Sequence, residues 1–219
     1  MNTPTKITFS RIIAIVIMVI TLVVLYFIGL ANPNFSIPNI GNTGMNWLYF
    51  GLFIFFVIAS FTDFLDGYLA RKNNQVTDLG KFLDPVADKL LINSMIIFLI
   101  VPASYVHNGQ MNFSLWCALI LVARDIIVDA LRFIAAQKGV VIAANIFGKM
   151  KTVLEMVAVS LVLLNGWPFY YFDKDWVVRI ADIFVYLCTL VSVISGVIYV
   201  VQNRKVFVEG KKNEDGASE

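Results

Sequence analysis

The stretch FTDFLDGYLARKNNQVTDLGKFLDPVADKL, residues 61–90, decides how this chain must fold. It places five aspartates, Asp63, Asp66, Asp78, Asp84 and Asp88, between two strongly apolar runs. Of the 219 residues 59% are hydrophobic and only 15% charged, so a polar surface for a water-soluble domain is hard to assemble. Lipid is the solvent that suits such a chain. A carboxylate in the middle of a spanning helix costs about 2.5–3.5 kcal/mol on insertion scales. Several on adjoining helices must therefore face a cavity, a partner or an ion.

Working outward, six apolar runs approach the 20 or so residues that a ~30 Å hydrocarbon core requires. They cover 10–30, 46–70, 82–104, 113–137, 148–166 and 176–201. The expected fold class is all-α: a polytopic membrane protein with six transmembrane helices. Residues 1–203 read as one catalytic domain, and 204–219 as a basic, then polar cytoplasmic tail, disordered at its end. The first run is longer than a signal-peptide core and no small-residue cleavage site follows it, so it reads as a retained helix. With a cytoplasmic amino terminus, 15 of the 17 Lys and Arg fall on the cytoplasmic side, leaving Lys174 and Arg179 outside. Basic residues gathered at one face suit an anionic lipid surface rather than nucleic acid.

Within the opening stretch the spacing is regular. Asp63 and Asp66 are three residues apart and Asp84 and Asp88 four, so each pair shares a helix face. Were 63–84 a single helix the pairs would stand about 31 Å apart, beyond the reach of a shared cation. The polar segment 72–80 is expected to turn the chain back, with Gly80 supplying unusual backbone angles. Two antiparallel helices then gather four carboxylates near the cytoplasmic face. Asp78 reads equally well as a helix-end residue and as a site residue. Oxygen-only ligation selects Mg²⁺, Mn²⁺ or Ca²⁺ over zinc, and two ions about 3.5–4 Å apart would clamp a phosphoryl or pyrophosphoryl group. Gly67 and Ala70 leave room for a ligand, and Arg71 offers a fork of donors to phosphate.

These residues form the pattern Asp-x2-Asp-Gly-x2-Ala-Arg-x8-Gly-x3-Asp-x3-Asp, filled by Asp63, Asp66, Gly67, Ala70, Arg71, Gly80, Asp84 and Asp88. The pattern resembles the signature of the CDP-alcohol phosphotransferase family, whose architecture is a six-helix membrane fold. The resemblance implies transfer of a substituted phosphate from a CDP-linked donor to an alcohol, with release of CMP. It implies two Mg²⁺ or Mn²⁺ ions held by Asp63, Asp66, Asp84 and Asp88, with Asp88 also the general base. By the same likeness Asp63, Asp66, Gly67, Ala70, Arg71, Gly80 and Thr8 contact CDP-diacylglycerol, and the protein is a homodimer.

The segment 123–152, ARDIIVDALRFIAAQKGVVIAANIFGKMKT, resembles the corresponding part of the bacterial phosphatidylglycerophosphate-forming subfamily, which joins CDP-diacylglycerol to glycerol 3-phosphate. Arg124, Arg132, Gly139, Ala143, Ala144, Gly148, Lys149, Lys151 and Thr152 carry that likeness, as do Asn2, Pro4, Thr8 and Arg11 near the start. A phosphorylated acceptor needs cations, and Arg124, Arg132, Lys149 and Lys151 are the candidates, each equally readable as a membrane anchor. Thr5, Asp125 and Asp129 depart from the subfamily pattern, and Asp129 adds a charge one turn from Arg132. Serine or inositol phosphate are alternative acceptors, and a divalent-cation transporter is the alternative of another class. Cys117 and Cys188 read as small apolar residues, His107 as a loop residue, and Trp47, Trp116, Trp167, Tyr170, Tyr171 and Trp176 as interfacial anchors. Glu155 is placed to pair with Lys151 at i,i+4.

Overall fold

The computed structural model describes residues 3–32, 34–41, 45–72, 78–101, 112–138, 146–169 and 179–208. Among these residues the chain is all-helical: α1 Thr3–Ala31, α2 Trp47–Lys72, α3 Asp78–Ile100, α4 Leu115–Gln137, α5 Ile146–Leu163 and α6 Ile180–Val208. An isolated bridge pairs Asn39 with Asn46 ahead of α2. Every apolar run read from the sequence holds a helix. Their ends differ from the hydropathy limits, because hydropathy reports the solvent of a segment while a helix, once nucleated, continues cheaply through polar residues. Thus α1 begins at Thr3 and α6 continues through Asn203 and Arg204 to Val208. His107, Tyr170, Tyr171, Trp176 and the chain end at 209–219 lie outside the described residues.

Of the segment 72–80, expected to turn the chain back, Lys72 and 78–80 are helical. Helix α2 persists through Lys72 and α3 starts at Asp78, with 73–77 outside the described residues. Gly80 is consequently a buried helical residue and not a turn residue. An acidic side chain at the first position of a helix is favoured by the partial positive charge of the exposed N–H groups, which accounts for a start at Asp78.

The described chain divides into two compact units. The first comprises residues 1–113 with 159–181, and in it α1, α2 and α3 pack against one another. Its interior follows helical periodicity: Ile15, Met18 and Leu22 on α1, Tyr49, Leu52, Phe56 and Ala59 on α2, and Ala87, Leu91, Met95 and Leu99 on α3 are all buried. The second unit comprises 114–158 with 182–219. Its buried positions recur with the same period, but several are polar: Asp125 on α4, Lys151 and Glu155 on α5, Thr189, Ser192 and Ser195 on α6.

The outward faces are as apolar as the interior. Ile13, Val16, Ile17, Ile20 and Phe27 of α1 and Leu190, Val193 and Val197 of α6 are exposed. Such surfaces are stable in lipid and not in water, so the chain is a membrane protein. Among the described residues, Lys6–Ala31 and Ile180–Arg204 are long and apolar enough to cross a membrane, and Trp47–Asp63 is a shorter apolar stretch. Trp47 and Trp116 are exposed near helix starts, as interfacial anchors are. Cys117 and Cys188 are buried free thiols.

Helix α2 is entered through Asn46, which is fully buried. Its Oδ1 accepts from the Leu48 N–H at 2.8 Å, and its Nδ2 donates to the Ile37 carbonyl at 2.7 Å. The side chain both caps the helix and ties the preceding loop to it. Asn46→Ala is expected to lower stability by about 1 kcal/mol, read as a lower unfolding temperature of the protein in detergent micelles.

Candidate active site

In the first unit, one turn of α1 grips the aspartates. Thr8 and Arg11 are three residues apart, on one face, and both are buried. The Thr8 hydroxyl donates to Oδ1 of Asp84 on α3 at 2.9 Å, and Nη1 of Arg11 is ion-paired with Oδ1 of Asp63 on α2. Thr8 and Arg11 stand about 4.5 Å apart along the α1 axis, so one turn of α1 contacts Asp63 and Asp84, which one continuous helix would have separated by about 31 Å. Two further donors of Arg11, Nε and Nη2, are buried with no partner among the described residues. A guanidinium normally satisfies its full fork of donors when buried, so this one has capacity for an anionic oxygen.

Asp88 is half-buried, one turn beyond Asp84 on α3. Asp66 follows Asp63 by one turn on α2, and Gly67, Ala70 and Arg71 continue that helix; the side chains of 64–71 lie outside the described residues. Among the described residues no three His, Cys, Asp or Glu side chains gather closely enough to hold a metal ion. The two carboxylates that do converge offer hard oxygen donors from separate helices, a donor type that fits Mg²⁺ or Mn²⁺ and not zinc.

The cations proposed from sequence for an acceptor's phosphate fall into two kinds. Arg132 and Lys149 are exposed, and the Arg132 guanidinium lies over the Tyr199 ring, 5.5 Å from its centroid. Arg124 and Lys151 are instead enclosed with acids. Lys151 Nζ donates to Asp125 at 2.9 and 2.7 Å and to Glu155 Oε2 at 2.5 Å, so the i,i+4 pair read from the sequence forms. Arg124 donates through Nη1 to Asp125 Oδ1 at 3.1 Å and through Nη2 to Ser195 Oγ at 2.7 Å. Asp129, read from the sequence as a charge one turn from Arg132, is half-buried, and Asp125 bonds both Arg124 and Lys151.

Sequence reading undervalued three of these residues. Arg11 was read, with Thr8, as able to approach the cytoplasmic site or as a helix-entry signal, but without a partner, although an arginine at the start of an apolar helix calls for a nearby acid. Asp125 entered only as a departure from a pattern, and its place on the buried face of α4 was readable from the apolar period Leu121, Asp125, Val128. Ser195 gave no signal, because a serine in an apolar helix is unremarkable until its partner is known.

A family model described as CDP-alcohol phosphatidyltransferase matches residues 1–202, and the chain belongs to that family. Among curated relatives, a CDP-diacylglycerol--glycerol-3-phosphate 3-phosphatidyltransferase of Bacillus subtilis (strain 168) is 36% identical over 205 residues, covering 92% of this chain and 95% of that protein. A protein of the same name from Rickettsia bellii is 36% identical over 156 residues, 70% of this chain and 79% of that one. Another from Mycoplasma genitalium is 41% identical over 145 residues, spanning 64% of this chain and 58% of that longer protein.

Thr8→Val keeps the shape of the side chain and removes its bond to Asp84. A hydrogen bond to a charged group contributes about 1.5–3 kcal/mol, so kcat/KM is expected to fall by about tenfold or more. Steady-state transferase assays on the folded variant check this.

Proposed function

We propose that this chain is an integral membrane phosphatidyltransferase that converts CDP-diacylglycerol and sn-glycerol 3-phosphate to phosphatidylglycerophosphate and CMP. The observation that carries the reading is the delivery of Asp63 and Asp84, from two helices, to one turn of α1 that also holds a buried arginine with spare donors. The relatives' names support the substrates, and the signature at residues 63–88 supports the reaction type.

Asp63, Asp66, Asp84 and Asp88 would hold two Mg²⁺ or Mn²⁺ ions, which when bound neutralise the donor's pyrophosphate and ease the departure of CMP. Thr8 fixes the direction of the Asp84 carboxylate, and Arg11 offers its unpartnered N–H groups to a donor phosphate oxygen. Gly67, Ala70, Arg71 and Gly80 surround the nucleotide. Asp88 takes the proton from the acceptor's hydroxyl as its oxygen bonds to the phosphorus that carries diacylglycerol; the bond from that phosphorus to the CMP oxygen breaks. The cations assigned to the acceptor's phosphate are Arg124, Arg132, Lys149 and Lys151, of which Arg132 and Lys149 are exposed and Arg124 and Lys151 are bonded to Asp125.

Residues 1–203 act as one catalytic domain of six membrane-crossing helices, with both termini, the 204–219 tail and the active site on the cytoplasmic side. Asp84, Asp88, Arg124, Asp125 and Lys151 lower the hydropathy of α3, α4 and α5, as polar groups of a membrane-boundary site would. The protein acts as a homodimer, the state implied by the family resemblance.

An acceptor panel with purified protein, CDP-diacylglycerol and Mg²⁺ tests the reading. CMP release is expected with glycerol 3-phosphate and not with serine or inositol phosphate; release with serine alone overturns the assignment. Asp88→Asn is expected to slow turnover by about 10²–10⁴-fold while nucleotide binding persists. Chelation of divalent ions by EDTA should abolish activity and added Mg²⁺ or Mn²⁺ restore it, measured by the same CMP assay.

A further inference from the structure

The second unit encloses four charges in contact: Arg124 and Asp125 on α4, Lys151 and Glu155 on α5. Two cations and two carboxylates sum to zero, so the cluster is electrically closed. Its members are nearly shielded from solvent, with side-chain exposures of 15% for Arg124, 8% for Asp125, 3% for Lys151 and 1% for Glu155. Apolar residues of similar volume commonly join helices as well as a buried ion cluster does, or better. Adhesion alone is therefore a poor reason for this one.

Asp125 stands at its centre. Oδ1 accepts from both Arg124 and Lys151, Oδ2 accepts from Lys151 again, and Arg124 extends the chain of bonds to Ser195 on α6. One carboxylate thus fixes side chains on three helices. Gly196 completes the seat, because a Cβ there would approach Arg124 Cγ to 3.2 Å and Nε to 3.6 Å. Arg132 lies about two turns along α4 from Arg124, and Lys149 two residues before Lys151 on α5. Their mutual spacing depends on the register of α4 against α5, which Asp125 sets.

We propose that Asp125, assisted by Ser195 and Gly196, is a positioning residue for acceptor recognition: it locks Arg124 and Lys151, and through them the spacing of the exposed cations that receive the phosphate of glycerol 3-phosphate. This rests on the acceptor assignment made above. Asp125 itself touches no substrate.

The test uses the full-length enzyme in mixed micelles with CDP-diacylglycerol and Mg²⁺. Asp125→Asn is expected to raise KM for glycerol 3-phosphate by about tenfold while KM for CDP-diacylglycerol and kcat stay within about twofold, and Asp125→Glu to recover most of the loss. An unchanged KM for glycerol 3-phosphate in Asp125→Asn overturns the proposal. So does a loss of thermal stability in which both KM values and kcat shift together, since that is the behaviour of a merely structural tie. If Asp125→Asn fails to fold, Ser195→Ala, which frees Arg124 on its other side, is judged by the same split. A wild-type enzyme that makes no product from glycerol 3-phosphate overturns the acceptor reading itself; one that does, with unaltered KM in the variants, overturns only the role of Asp125.

Discussion

The grip of α1 on two acids is the constraint from which the first unit follows. Thr8 reaches α3 and Arg11 reaches α2 within a single turn, so neither helix can slide or rotate without breaking a bond to a carboxylate. The apolar contacts below, from Ile15 through Leu22 against Leu91, Met95 and Leu99, are non-directional and would tolerate several registers. Polar bonds at the top of the bundle choose among them. In a medium where hydrophobic burial between helices contributes little, such bonds and close packing carry the specificity of association.

The two units solve the problem of charge in lipid differently. In the first, the acids remain partly open: the Asp63 side chain keeps 34% of its exposure, while Arg11 is enclosed with donors to spare. That arrangement is incomplete by itself and suited to a ligand. In the second, Lys151 and the carboxylates of Asp125 and Glu155 close on each other, with bonds of 2.5–2.9 Å. The two clusters differ in exposure: the first leaves a carboxylate open to a ligand, and the second buries both of its acids against cations.

Much of this was legible in the sequence, and the reasons are specific. The six helices follow from apolar runs of membrane length, and the approach of Asp63 to Asp84 was read from two helix-spaced acid pairs on either side of a polar segment, too far apart on one helix to share a cation. Of the polar 72–80 segment, 73–77 lie outside the described residues, and Gly80, which reads as a turn residue in isolation, belongs to the helix that starts at Asp78. Asp125 was hidden because its importance lies in partners 26 residues away on α5 and, through Arg124, on α6. Pairing between buried charges on different helices leaves no periodic trace. Asp63 and Asp84 were visible for the opposite reason, that their spacing to Asp66 and Asp88 repeats a helical turn.

The Arg11–Asp63 pair also imposes an order on biogenesis. The partners are 52 residues apart in the chain, so at about 5–20 residues per second the arginine leaves the ribosome several seconds before its acid exists. The ion pair that joins the first two helices can therefore form only after the second has been synthesised.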